Sequence, residues 1–222
     1  MQLLTDTRRT LDYSQLSHNL KILRDRIRVD GGRSLLIKGF VFVVAKTGME
    51  KDLADALFKI PEILETHMIV GDYDVLAVLG VEDDVPTRFP AEKMISILAE
   101  KIRTMDYVKD TSTIMSVQSQ VKRSRITDLD AWAKGFVFVK VKTGRERSAM
   151  QDLYKVADVS EVHMVAGNYD LLAVLEVRKT LLPPRYPQII ADIVVDKIRK
   201  INGVEDTQTF IPDSSQIRSI KK

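Results

Sequence analysis

Lys38-Gly39-Phe40-Val41-Phe42-Val43 returns unchanged as Lys134-Gly135-Phe136-Val137-Phe138-Val139, 96 residues further along the chain. The offset holds without a gap through Thr47-Gly48 and Thr143-Gly144, His67-Met68 and His163-Met164, and Lys101-Ile102-Arg103 and Lys197-Ile198-Arg199. About 30 of roughly 78 aligned positions are identical. An internal duplication on this scale restricts the fold to something built twice. Two copies are too few for a solenoid. The expectation is a tandem pair of like units over 38–117 and 134–212, with an N-terminal arm over 1–37, a polar linker over 118–133 and a tail over 213–222.

Within each unit the periodicity gives the same order. Phe40–Lys46 reads as a strand, rich in β-branched and aromatic residues. Gly48 opens a helix over Met49–Lys59, and Ile63–Val70 is a second strand. Gly71-Asp72-Tyr73-Asp74 makes a tight turn into a third strand, Val75–Val81. A polar loop leads to a helix over Ala91–Met105, and Val108–Val117 closes the unit. The second unit repeats this βαββαβ order, a ferredoxin-like arrangement, from Phe136 to Ile211. In Phe40–Ala45 and Val75–Leu79 both side-chain parities are apolar, so both faces of the sheet must be covered. Two helices cover one face. The sheet of the other unit is the available cover for the second, which makes the chain an α+β pseudo-dimer packed sheet to sheet.

Composition sets outer limits. With 45% hydrophobic and 29% charged residues the chain is of ordinary globular type. It has no cysteine, which excludes disulfides, thiolate metal sites and cysteine nucleophiles. There is no apolar run of membrane-spanning length and no leader-like N-terminus, so no membrane association is expected and the location expected is cytoplasmic. Residues 39–115 carry a net charge of −6 and residues 135–211 of +1, so the basic excess sits in the flanks and linker. That distribution does not favour a nucleic-acid groove on the repeated core. Residues 1–37 contain one helix stripe, Leu16, Leu20, Leu23 and Ile27, with Lys21, Arg24, Arg26 and Arg28 around it. It reads first as an amphipathic arm packing on protein and second as a DNA-contacting helix.

The Gly-Asp-Tyr-Asp turn before the third strand, together with the ending Val108-Lys109-Asp110-Thr111-Ser112-Thr113, resembles the effector (RAM) domain of Lrp/AsnC-type regulators. The second copy carries Gly167-Asn168-Tyr169-Asp170 and Val204-Glu205-Asp206-Thr207-Gln208-Thr209. The resemblance covers about 150 residues in two copies. It implies a dimeric αβ-barrel folded within one chain, further assembly into a homo-oligomer, and a small-molecule effector, an amino acid, bound at subunit contacts. It also implies a sensor without catalytic activity, acting on transcription through oligomerisation or by co-assembly with DNA-binding relatives. The family places a winged helix-turn-helix ahead of this domain, and residues 1–37 are too short for one. Direct DNA binding through the arm, or an αβ-barrel enzyme, are the alternatives.

The candidate effector contacts that follow are Gly71, Asp72, Tyr73, Asp74, Thr111 and Thr113, with Gly167, Asn168, Tyr169, Asp170, Thr207 and Thr209 in the second copy. A carboxylate there can pair with a ligand ammonium, and threonine hydroxyls can meet its carboxylate. The plainer reading is that the aspartates brace their own turns and the threonines pack across strands. Asp72 becomes Asn168, so the two copies should not bind equally. His67 and His163 occupy equivalent strand positions and read as packed or hydrogen-bonded groups rather than metal ligands. No nucleotide, metalloprotease or nucleophile motif occurs, so no cofactor, no metal and no catalytic residue is expected. Tyr186 lies in a Pro-rich loop that either covers a pocket or is simply rigid.

Overall fold

The computed structural model describes residues 36–82, 90–179 and 185–218. The arm stripe from Leu16 to Ile27 lies outside these, as do Asp83 and Asp84 of the polar loop before the second helix and Pro183 and Pro184 of the Pro-rich loop. In the first half, β1 (Leu36–Ala45), α1 (Glu50–Lys59), β2 (Ile63–Met68) and β3 (Val75–Glu82) are followed by α2 (Pro90–Ile97) and β4 (Val108–Val121). In the second half, β5 (Trp132–Val141), α3 (Glu146–Lys155), β6 (Val159–Val165) and β7 (Leu171–Arg178) are followed by α4 (Tyr186–Ile193), β8 (Val204–Phe210) and β9 (Ser214–Ile217). Both α2 and α4 end in a π-helical turn, at Leu98–Ile102 and Val194–Ile198. Among the described residues no helix is long and apolar enough to cross a membrane.

The two ferredoxin-like units face each other as the doubly apolar strands require. On one side of each sheet, Val41, Val43, Leu53, Leu57, Met94 and Ile102 form a sheet-to-helix core, mirrored by Val137, Val139, Met150, Leu153, Ile190 and Ile198. On the other side, Phe40, Phe42, Leu76 and Val78 meet Phe136, Phe138, Leu172 and Val174 in one shared cluster. Phe42 and Phe138 lie 5.6 Å apart between ring centroids. Tilted aromatic pairs of this kind add roughly 0.5–1.5 kcal/mol to what their buried area contributes. Gly39 and Gly135 face the helices, where a Cβ would come within 3.2 Å of Met94 and 3.0 Å of Ile190. Their lack of a side chain sets how closely the second helix of each unit approaches the sheet.

Two features go beyond the expected order. β4 does not end at Val117 but runs to Val121, and its second half leaves β1 to pair with β6 of the other unit. Residues 118–121 are therefore sheet rather than free linker. Reciprocally, β9 pairs with β2. The chain breaks between β8 and β9 at Pro212, which stands where the first copy has Ser116. Proline cannot donate to a ladder, which accounts for one continuous strand in the first copy and two in the second. The strand order is β8-β5-β7-β6-β4-β1-β3-β2-β9, and the two end strands are consecutive in the chain. This is a dimeric αβ-barrel made by one polypeptide, with each half lending a strand to the other.

Candidate functional site

Each sheet carries a register shift in its second strand. Ile63 pairs with Leu79, but Glu65 pairs with Val78, so Leu64 is an extra residue. The same shift places Glu161 opposite Val174. Without the bulge, Glu65 and His67 would share the parity of Ile63 and point at the helices. With it, they turn into the space between the sheets. Gly80 accommodates the bulged residue, since a Cβ there would lie 2.6 Å from the Leu64 side chain.

In each half the turned residues meet partners from two other strands. Lys134, on the same face of β5 as Phe136, donates to both Glu65 oxygens at 2.7 and 2.8 Å. Glu65 Oε2 lies 2.9 Å from His67 Nε2, and His67 Nδ1 lies 2.8 Å from Ser215 Oγ on the exchanged strand β9. The pseudo-dyad repeats this across the barrel. Lys38 reaches Glu161 at 2.7 and 2.8 Å, Glu161 holds His163 at 2.9 Å, and His163 meets Ser119 of β4 at 2.8 Å. Both imidazoles are fully buried, with Phe136 edge-on to His67 at 4.8 Å and Phe40 edge-on to His163 at 5.1 Å. Every lysine in the network belongs to the half opposite its glutamate.

Burial alone would push the Glu65 carboxyl up. The Lys134 ammonium and the His67 hydrogen bond outweigh it and hold the group well below the usual carboxylate range. Burial likewise raises Glu161, but Lys38 and His163 bring it down to about 2. For Lys134 burial works toward the neutral form, and the surrounding carboxylates Glu65 and Glu161 win, raising it. His67 is held below its ordinary value because burial exceeds the attraction of Glu65. It is therefore neutral, with Nε2–H donating to Glu65 and Nδ1 accepting from Ser215 O–H.

Hydroxyl, imidazole and carboxylate in this order form the relay used for nucleophilic catalysis. Here the carboxylate is already neutralised by an ammonium, which removes the negative charge that would stabilise an imidazolium. The network is better suited to fixing register: a one-residue slip of any strand would leave several charges buried and unpaired. The sequence pattern reads the histidines as packed or hydrogen-bonded sheet residues but does not single out Lys38, Lys134, Glu65 and Glu161. The available signal is that Lys, Glu and His stay identical in both copies while Leu64 and Thr66 become Ser160 and Val162.

The expected effector residues fall into two groups. Asp74 Oδ2 accepts from the Ala45 amide at 2.8 Å, and Asp170 Oδ2 accepts from the Val141 amide at 2.7 Å. Each aspartate thus ties its turn to the end of the first strand. Gly71 and Gly167 hold φ values of 137° and 153°, which disfavour any side chain. Asp72 and Asn168 are exposed, and Tyr73 and Tyr169 rest on Phe42 and Phe138 at the edge of the inter-sheet cluster. The threonines stand on the opposite face, since Thr111 and Thr113 pair with the helix-facing Val43 and Val41. Thr207 and Thr209 pair likewise with Val139 and Val137. Thr111 Oγ1 accepts from Arg103 Nε at 2.9 Å and Thr207 Oγ1 from Arg199 Nε at 2.8 Å. Thr113 Oγ1 is buried without a hydrogen-bond partner among the described residues. One chain therefore does not bring turn and threonines into a single pocket. Asp170→Ala should cost about 1–2 kcal/mol in urea denaturation, and Asp170→Asn, whose amide oxygen still accepts, should recover most of it.

Comparison with known proteins places these observations. Residues 38–126 match the Lrp/AsnC ligand binding domain. An uncharacterized HTH-type transcriptional regulator of Pyrococcus horikoshii is 38% identical over 66 residues, covering 30% of this chain and 39% of the relative. A counterpart in Pyrococcus abyssi is 36% identical over the same length, with the same coverage. The chain thus spans about two-fifths of the curated relatives it matches. Among solved structures, the siroheme decarboxylase NirDL in co-complex with an iron-uroporphyrin III analogue superposes with a TM-score of 0.56. It shares 10% identity over 91% of this chain and 81% of that one, a likeness of fold alone.

Proposed function

We propose that this chain, whose residues 38–126 are an Lrp/AsnC ligand-binding domain, is a non-enzymatic regulatory module that binds an amino acid and couples its occupancy to assembly. The observation that carries this reading is the pair of exposed Gly-x-Tyr-Asp turns. Each is stiffened by its own aspartate, which commits Oδ2 to the backbone and keeps Oδ1 for another partner. Beside the first turn Val70 is 82% exposed, an apolar side chain set next to a rigid polar corner. Such a corner has the makings of a contact that a second copy completes, with the ligand ammonium on the aspartate and the ligand between chains. Threonines of a neighbouring chain are the proposed carboxylate partners, since a single chain holds its own on the far side of the sheet. Assembly with itself or with DNA-binding relatives would then transmit ligand level to transcription.

Sedimentation velocity of the full chain against each of the twenty amino acids tests this. An effective ligand should raise the assembled fraction, and at 100 times its Kd should add about 2.7 kcal/mol of stability. Val70→Asp should abolish the assembly while leaving the monomer folded. A single sedimenting species, unaltered by all twenty and by Val70→Asp, would rule the reading out.

A further inference from the structure

The chain passes from one half to the other along β4 and its linker, and again between β8 and β9. The two crossings are not held alike. β4 crosses as one strand of 14 residues. The linker after it is clamped: Glu176, 1% exposed, accepts from the Ser124 hydroxyl at 2.8 Å and the Arg125 amide at 2.7 Å, and Arg125 lies over the Trp132 ring. From β8 to β9 the chain runs through Ile211, Pro212 and Asp213 alone. The proline interrupts the ladder, and Tyr186 donates to its carbonyl at 3.4 Å, long for a hydroxyl. The second crossing is therefore the hinge.

The hydrogen bonds of the segment after the hinge run to the first half. β9 pairs with β2, from Met68 and Ser214 to Glu65 and Ile217. Ser215 bonds to the buried His67, and Gln216 donates to Asp55 Oδ1 of α1 at 2.6 Å. Arg218 donates to the carbonyls of Ile63, at 2.8 Å, and of Phe58, with its guanidinium 4.8 Å from the Phe58 ring centroid. The seat is also loosely filled. A cavity of about 320 Å³ lies between β9 and α1, bordered by Lys51, Ala54, Asp55 and Met68. In the pseudo-equivalent seat of β4 on α3, Met150 stands for Ala54 and Val162 for Thr66. A short strand behind a hinge, docked through a few specific contacts on a partly empty seat, is the kind of element that opens first.

We infer that this seat also takes β9 of a second copy of the chain, so that two chains exchange their last strands through the Pro212 hinge. Donor and acceptor belong to different halves. Each contact of β9, from Ser215 on His67 to Arg218 on the end of α1, forms in the same way with a strand arriving from another chain. Reciprocal exchange closes a two-fold dimer. β4 has no such freedom, since it continues a strand of its own sheet. Because β9 must first leave its seat, the exchange is slow and favoured when the chain folds at high concentration. It uses neither the turns nor Val70, and so is separate from the ligand-dependent assembly proposed above.

The chain has no cysteine, so introduced thiols report the strand pairing directly. Met68→Cys and Ser214→Cys, cross-strand partners on β2 and β9, are made in separate full-length chains, mixed, unfolded, refolded together at high concentration and oxidised. The expected product is a disulfide-linked heterodimer, about tenfold over either homodimer, because the exchanged seat holds the two thiols together. Pro212→Ser, which restores the residue of the first copy, should lower its yield severalfold. Val70→Asp should leave the yield unchanged; a yield that falls with it would assign the dimer to the turns instead. Heterodimer no more abundant than random pairing gives, where one chain carrying both thiols closes its own bond, would overturn the exchange. So would a parent chain that elutes as monomer after refolding at every concentration without added amino acid.

Discussion

Lys134→Met should destabilise the fold by about 3–5 kcal/mol, because it leaves the Glu65 carboxylate buried without its counter-ion. Glu65 is 7% exposed, and Lys134 supplies both of its charge-assisted contacts from the opposite sheet. The penalty is limited by protonation: with the ammonium gone, burial dominates and the carboxyl takes up a proton at higher pH. The variant should therefore lose most stability near neutrality and recover part of it in mild acid, the reverse of the parent. Lys134→Met combined with Glu65→Gln should restore most of the loss, since a neutral amide oxygen still accepts from His67 Nε2. Urea denaturation of the two single variants and the double gives the coupling energy. Lys155→Ala, which removes an exposed pair with Asp152, should cost less than about 0.5 kcal/mol in the same assay. Equal costs at Lys134 and Lys155 would mean that the buried network contributes no register energy.

The second large effect is acid lability. The Glu161 carboxyl titrates at about 2 in the fold, against an ordinary 4.5. The unfolded chain therefore binds this proton more readily between those values, and stability rises with pH across that window. Its contribution is complete above about pH 4.5 and is lost as pH falls toward 2. Glu65 is lowered too and acts in the same sense. His67 lies below its ordinary 6.5 in the fold, so the unfolded chain also takes up this proton first and stability begins to fall below that pH. Each tenfold difference in proton affinity between folded and unfolded chain is worth about 1.4 kcal/mol, so Glu161 alone accounts for on the order of 3 kcal/mol. Thermal melts from pH 8 to 3 should show a plateau above about 7, a shallow decline below 6.5 and a steep one below 4.5. Glu161→Gln should flatten the steep part. A melting temperature constant down to pH 3 would contradict the buried ion pairs.

Both effects come from residues whose identity is plain in the chain but whose placement is not. Lys38 and Lys134 are the third residues of their strands, just ahead of an apolar run, and Glu65 and Glu161 stand two positions before a histidine in buried strands. Period-two alternation assigns Glu65 and His67 to the face of Ile63, toward the helices. The bulge at Leu64 reverses that assignment, and a bulge is a property of how two strands pair. The turn aspartates were legible as bracing groups because glycine marks their corner, whereas their partners, the Ala45 and Val141 amides 29 residues away, were not. That Thr113 and Tyr73 stand on opposite faces of a sheet was not, since it depends on which strand each one neighbours.

The duplication by itself determined that two like units are present. The doubly apolar strands by themselves determined that the units pack sheet to sheet, because apolar surface on both faces must leave water wherever the strands pair. Only the tertiary structure decided the exchange of β4 and β9, the inward turn of two glutamates and two histidines, and the cavity between β9 and α1. The exchanged strands and the buried network bring together residues about 40 to 150 positions apart, as with Val121 and Glu161, Lys134 and Glu65, or His67 and Ser215. Local propensity and periodicity carry no information over such separations; the pairing free energy of the closed barrel does.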